Sequence, residues 1–261
     1  MKRIAALLTA LCVMLTCAGA LAQIEVNKRD LALNAELDRS VTNILVLLQD
    51  GDVTDTMMIA SINGSTGRSV MTRLDCAMTV DVRDAGEMKL CDVYAQGSKG
   101  SQGLLAMRTV NELLELNVST YVAFDIGQLP EMVDAIGALN MEFDEAEAQA
   151  MGTWSGINEL TGDAVLSYVR LSLESDAPSR SRGYDALMQM LYQGLHGSDV
   201  FGLLSLGQKM LGSMDTNLNP MTAMTLVTAV QGGEDRRELA LPGDAQDLQA
   251  MRELFVQEVY E

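Results

Sequence analysis

Three aspartates, Asp50, Asp52 and Asp55, stand close together in the segment Asn43–Ile62, where one apolar run ends and another begins. Apolar runs of this length, bounded by Gly and Asp, read as buried strands joined by a tight connection. The connection gathers the carboxylates at the strand ends. Hard carboxylate oxygens in that position make either a solvated acidic turn or a site for a hard cation and the phosphates that travel with it. Spacing alone leaves both readings open. An EF-hand is excluded, because Ser61 occupies the position that needs a bidentate Glu.

No rival catalytic set emerges. His196 is the single histidine and lies in a Gly-Leu-His-Gly-Ser loop without an identifiable partner. Cys76 has no histidine beside it to activate a thiolate. With one His and few Cys, a zinc site lacks ligands. The Gly97–Gly103 stretch lacks the Gly-Lys-Ser/Thr ending of a P-loop and reads as a flexible lead into a helix. Trp154, in a Gly-flanked loop, reads as a core plug ahead of a sugar platform.

The elements that must position these residues follow from periodicity. Residues 23–40 read as a polar helical lead-in. Strands are predicted near 43–49, 56–62 and 68–74, and a loop over 81–88. A helix over 101–115 carries the apolar stripe Leu104, Leu105, Met107, Val110, Leu113 and Leu114. A strand at 120–125, a helix at 128–137, a short strand near 139–143 and a helix at 145–150 come next. Thr161 caps a helix that carries Ala164, Val165, Tyr168 and Val169. A Ser/Arg-rich loop covers 172–182. Helices follow at 183–195, 200–212 and 219–231, then a strand at 237–241 and an acidic amphipathic helix from Asp247. This alternation without a linker predicts one α/β domain, a three-layer α/β/α fold with a central mixed sheet flanked by helices.

Composition bounds the rest. Hydrophobic residues make up 48% of 261, ample for one core, and 18 methionines predict a plastic interior. Lys2 and Arg3, the apolar stretch Ile4–Leu15 and the small-x-small site Ala20-Leu21-Ala22 read as a signal peptide over 1–22, cleaved before Gln23. The uncharged stretch could instead stay as a membrane anchor. Either way the protein works outside the cytoplasm. Losing Lys2 and Arg3 takes the net charge from −18 to −20, a surface that repels nucleic acid. Cys76 and Cys91 then remain, and two cysteines in an exported protein suggest either a disulfide or a pair of buried thiols.

The strand–acidic loop–strand opening resembles that of the LytR-CpsA-Psr family of cell-envelope proteins. Lys89-Leu-Cys-Asp-Val-Tyr-Ala-Gln-Gly97, Asn117–Asp125, Met132–Gly137, Leu160-Thr-Gly-Asp-Ala-Val-Leu-Ser-Tyr-Val-Arg170, and Thr216-Asn217-Leu218 with Leu241-Pro242 are similar to further motifs of that family, in its order. The resemblance places a family-like domain over 43–245, with a lead-in at 23–42 and a C-terminal helix at 246–261.

What the resemblance implies is phosphotransfer: a glycopolymer carried on a polyprenyl pyrophosphate is moved onto peptidoglycan, close to a membrane. It implies Mg²⁺ on Asp50 and Asp55, and arginines on the phosphate oxygens, whose planar forks bind two oxygens at once. Arg170 matches the first arginine of a family pair, the second being Ser172 here. Arg73, Arg180 and Arg182 are the stand-ins for other family arginines that this chain lacks. The family arrangement also sets Cys76 and Cys91 near the pocket mouth, where a bridge closing the ~15-residue loop would add roughly 3 kcal/mol. Two functions stay open: an active envelope transferase using Asp50, Asp55 and Arg170, or a catalytically degenerate relative that binds polyprenyl lipid or partners envelope enzymes.

Overall fold

The computed structural model describes residues 24, 26–51, 53–174, 214–218, 236–241 and 248–261. The signal segment, Arg180, Arg182, His196 and the helices expected at 183–195, 200–212 and 219–231 lie outside them. The described strands are β1 (Val41–Asp50), β2 (Val53–Asn63), β3 (Ser69–Leu74), β4 (Thr79–Val82), β5 (Gly86–Lys89), β6 (Thr120–Asp125), β7 (Leu139–Phe143), β8 (Gly156–Leu160), β9 (Asp215–Thr216) and β10 (Arg236–Ala240). The described α-helices are α1 (Val93–Gln96), α2 (Gln102–Leu114), α3 (Leu129–Ile136), α4 (Glu145–Met151), α5 (Gly162–Glu174) and α6 (Leu248–Tyr260).

The central sheet runs β10-β3-β2-β1-β6-β9. It is mixed: β1 pairs antiparallel with β2 and parallel with β6, while β10 lies parallel to β3. Both faces are covered, so the middle strands read as nearly unbroken apolar runs. On one face Leu45, Leu47, Met57, Ile59 and Leu74 pack with Leu105, Met107 and Val110 of α2 and Phe255 of α6. On the other, Leu48, Met58 and Phe124 pack with Leu129 and Val133 of α3 and Val165, Tyr168 and Val169 of α5. Each such side chain, fully buried, contributes about 1.5–3 kcal/mol. The expected three layers are those observed.

Two local expectations are corrected. Residues 26–40 form turns instead of a helix. The side chains of Asn27, Asn34 and Asp38 each accept a hydrogen bond from the backbone N–H two residues on, at 3.0, 3.0 and 2.8 Å. These local bonds give the backbone an alternative to helix. The stretch 81–88 is no plain loop but includes the β4–β5 hairpin, closed where Asp84 and Gly86 adopt positive φ of 71° and 79°.

The tail helix expected from Asp247 is α6, and it closes the end of the sheet where β1 begins. The Asn43 side-chain amide donates to Asn117 and to the Tyr260 hydroxyl, both at 2.7 Å, and the Ser61 hydroxyl donates to Asn43 at 2.7 Å. This buried polar network ties the last turn of α6 to β1 and β2.

Candidate functional site

The site grows from the opposite end of β1. Asp50 closes β1 and Asp125 closes β6, and these parallel strands are neighbours, with Gln49 paired to Asp125. In open α/β sheets, ligands bind outside the carboxyl ends of parallel strands. Asp125 caps a short 3-10 turn, accepting from the Gly127 N–H at 2.8 Å. It was not foreseen as a site residue, although its place at the end of a strand parallel to β1 would have marked it.

A bulge shapes the acidic connection. Leu48 pairs with Thr56 but Gln49 pairs with Thr54, so Asp55 is the extra residue of β2. The buried Gln49 amide donates to Thr54 at 3.1 Å and pins the bulge. Bulges re-aim side chains beside functional sites. Asp55 stands near Cys76, close enough for its charge to help hold that thiol in its protonated form.

Arg170 reaches Asp50 from α5. Helix α5 carries Val165, Tyr168, Val169 and Ser172 buried at the i, i+3, i+4, i+7 spacing of one face, which leaves Arg170 exposed. The Thr161 carbonyl accepts the first bond of the helix, from Val165 at 2.9 Å. Tyr168 anchors the helix by donating to Glu147 at 2.8 Å and stacking on Phe143 with ring centroids 5.0 Å apart. Gly162 fixes its approach, because a Cβ there would fall 2.4 Å from the Pro130 backbone of α3. The Arg170 guanidinium then binds both oxygens of Asp50, Nε to Oδ2 at 2.9 Å and Nη2 to Oδ1 at 2.7 Å. The side chains are 46% and 35% exposed, so the pair is accessible to a ligand.

Arg73 lies on the same side of the sheet. It pairs with Met58, which pairs with Val46, and directly opposed residues share a face. Its row lies four residues from Asp50 along β1, about 13 Å away at ~3.3 Å per residue. Ser172, at the place of the second family arginine, is buried at 3% exposure.

Cys76 and Cys91, for which the sequence allows a bridge or two thiols, stand as free thiols in this structure. Their backbones do meet, Cys91 N–H donating to the Cys76 carbonyl at 3.2 Å. The Cys91 thiol, however, turns to the Asp92 carboxylate at 3.7 Å. Burial, helped by Cys91, pushes the Cys76 thiol up to about 12. Burial and Asp92 also raise Cys91. Trp154 corrects another expectation: it is 69% exposed and plugs no core.

A further cluster was not foreseen. The Tyr94 and Tyr121 hydroxyls both donate to Asp215, at 2.6 and 2.9 Å, and burial with that carboxylate pushes both phenols up. Asn217 accepts from the Tyr121 N–H at 2.9 Å, so side chains extend the pairing of the short edge strand β9. Gly103 makes room for the Tyr121 ring against α2, since a Cβ there would fall 2.1 Å from it.

Asp50 and Asp55 supply hard oxygens. Among the described residues no group of three or more His, Cys, Asp or Glu is arranged to hold a metal ion. Mg²⁺ commonly uses one or two carboxylates with waters and substrate phosphates, and each Asp50 oxygen accepts a hydrogen bond from Arg170 while keeping lone-pair capacity. The donor set therefore fits a phosphate-bound Mg²⁺ better than a protein-enclosed metal.

Known proteins bear on the site. The LytR_cpsA_psr family model matches residues 16–259. The chain is 23% identical over 212 residues to the polyisoprenyl-teichoic acid–peptidoglycan teichoic acid transferase TagU of Oceanobacillus iheyensis, covering 76% of this chain and 65% of that relative, just under two thirds of its length. Among solved structures, TagT bound to LIIa-WTA superposes with a TM-score of 0.71 at 17% identity, covering 88% of this chain and 96% of the other. YwtF (TagT) with bound octaprenyl pyrophosphate lipid superposes at 0.67 with 15% identity, over 90% and 98%. These structural likenesses show a common fold.

Proposed function

We propose, on the premise that this chain belongs to the LytR_cpsA_psr family, that it is an extracytoplasmic phosphotransferase moving a polyprenyl-pyrophosphate-linked glycopolymer onto peptidoglycan. The observation that carries the proposal is the accessible bidentate pair of Arg170 on Asp50 at the carboxyl ends of β1 and β6. Support comes from the transferase name of the Oceanobacillus relative and from the octaprenyl pyrophosphate held by the TagT structure.

Without ligand, each member of the pair satisfies the other. Arg170 holds a carboxylate with the fork that suits a phosphate. Asp50 holds a cation with oxygens that also suit Mg²⁺. Binding of a pyrophosphate would move the Arg170 fork from Asp50 to the phosphate oxygens, leaving Asp50 and Asp55 as the carboxylates that would hold Mg²⁺. Mg²⁺, when bound, would neutralise charge on the phosphate oxygens. An acceptor hydroxyl on peptidoglycan attacks the phosphorus that bears the glycan. The new O–P bond forms as the bridging O–P bond breaks, polyprenyl phosphate leaves, and the hydroxyl proton passes to a base or solvent. Arg170 orients the phosphate through this displacement and balances its charge. Arg73, on the same side of the sheet, with Arg180 and Arg182, completes the proposed phosphate-binding set.

A second reading, a lipid binder without turnover, is favoured by the buried Ser172 in place of an arginine and by the separation of Arg73 from the pair. The deciding experiment follows transfer of labelled glycopolymer from its polyprenyl pyrophosphate to purified sacculi. Turnover that is lost in Asp50→Asn and Arg170→Ala supports the transferase. Tight lipid binding with no turnover supports the binder. The proposed location is the cell surface; no helix among the described residues is long and apolar enough to cross a membrane.

A further inference from the structure

Trp154 is the single tryptophan of the chain, and it projects into solvent at 69% exposure from the turn between α4 and β8. The turn is held rigidly. Gly152 ends α4 with φ +67°, and Gly156 opens β8 with φ +105°. Asn158, 4% exposed, donates from its amide to the Trp154 and Gly156 carbonyls, both at 2.9 Å. It accepts from the Thr153 hydroxyl at 2.7 Å. A buried amide with all these bonds serves to hold one loop conformation. Leaving an indole in water forgoes a large burial gain, and a tryptophan with an apolar face and a polar N–H suits a surface that is half apolar and half wet.

Beside the indole lies a shallow, half-open cleft of about 470 Å³, lined by Met151 and Glu159 with the largely buried Phe143 and Leu160 as its floor. We propose that this cleft binds an N-acetylated, uncharged sugar of a glycan strand, the acceptor side of the proposed transfer; this rests on that reading. The flat indole suits the C–H face of a pyranose, the apolar lining suits the acetamido methyl, and Glu159 accepts from sugar hydroxyls. Ala164 of α5 lines the same cleft, six residues before Arg170, a rise of about 9 Å along the helix axis with the two side chains about 120° apart around it.

Charge at the cleft opposes anionic occupants, Glu159 being part of its lining. The outward positions of the β7–β8 hairpin include Glu142, paired with Ile157, and Glu159, paired with Asn140. These carboxylates oppose an anionic polymer or an anionic lipid surface. Trp154 and Ile157 are the large exposed apolar side chains of this hairpin, too small a patch for the ~800 Å² that each partner contributes to a stable protein interface.

The test uses the tryptophan as its own reporter. Chitotetraose is titrated into the full-length protein while Trp154 emission is followed, with calorimetry on wild type and Trp154→Ala. The expected result is a saturable blue shift in wild type and at least a tenfold loss of affinity in Trp154→Ala. No shift, equal affinity in the variant, or a shift produced by anionic vesicles but not by chitotetraose overturns the inference. Retention of polyprenyl pyrophosphate, measured separately on the wild-type protein, tells whether the transfer reading itself has failed.

Discussion

Replacing Arg170 separates a binding role from a structural one. Its pair with Asp50 is roughly half exposed, with side chains at 46% and 35%. Such exposed pairs stabilise a fold by about 0.2–1 kcal/mol after screening. Arg170→Ala should therefore cost under about 1 kcal/mol, a Tm shift of about 2–4 °C for a domain of this size. A phosphate ligand that takes over the same fork gains charge-assisted bonds, which contribute about 1.5–3 kcal/mol. Their loss weakens binding by about 10- to 150-fold. Arg170→Lys keeps the charge but not the fork and should fall between wild type and Ala. Thermal unfolding would be measured beside calorimetric binding of a short-chain prenyl pyrophosphate. A Tm drop beyond about 10 °C would show that the pair holds the fold together. Affinity unchanged within about twofold would remove Arg170 from the site.

Gly162→Ala places a Cβ 2.4 Å from the Pro130 backbone. Either α5 or α3 must move, so denaturant unfolding should show a loss of about 1–3 kcal/mol. Tyr260→Phe removes the hydroxyl shared by Asn43 and Asn117, and should cost about 1–3 kcal/mol by the same measurement because the buried Asn43 amide and the half-buried Asn117 lose a partner. The free thiols should resist modification: with Cys76 raised to about 12, its thiolate at pH 7.4 is scarce, and alkylation should run about 10³-fold slower than for free cysteine. A mass two units below the fully reduced value would show instead the bridge suggested by two cysteines in an exported chain. Alkaline pH gives a further check. The folded values of Cys76, Cys91, Tyr94 and Tyr121 are raised, so their contribution to stability is intact below the unfolded values. It is lost as the unfolded thiols ionise from about pH 8.5 and the phenols from about pH 10. Stability that is flat from pH 8 to 11 would contradict these shifts.

Periodicity made β1, β2, β3, β6, α2 and α5 readable, because each buries a stripe at its own spacing. It failed where side chains compete with backbone. Asn27, Asn34 and Asp38 turned an expected helix into a chain of turns. The strand β8 was hidden in a Gly-flanked stretch, since a two-stranded hairpin with one exposed face needs only Asn158 and Leu160 to be buried. Asp50 and Arg170 were legible through the family-like motifs that contain them. Their pairing was not, because it depends on α5 lying against α3 at Gly162. The place of Asp55 turned on a bulge, and a one-residue slip leaves no mark in composition. Trp154 was misjudged because an apolar ring is usually buried, and only the bonds of Asn158 reveal that its loop faces outward.

The most direct measurement is native mass spectrometry of the protein with a polyprenyl pyrophosphate, with and without Mg²⁺, on wild type and Arg170→Ala. The Asp50–Arg170 exchange calls for lipid retained by wild type in Mg²⁺, much less without the ion, and little by the variant. Equal retention in all these samples would contradict it and leave the pair a surface ion bridge.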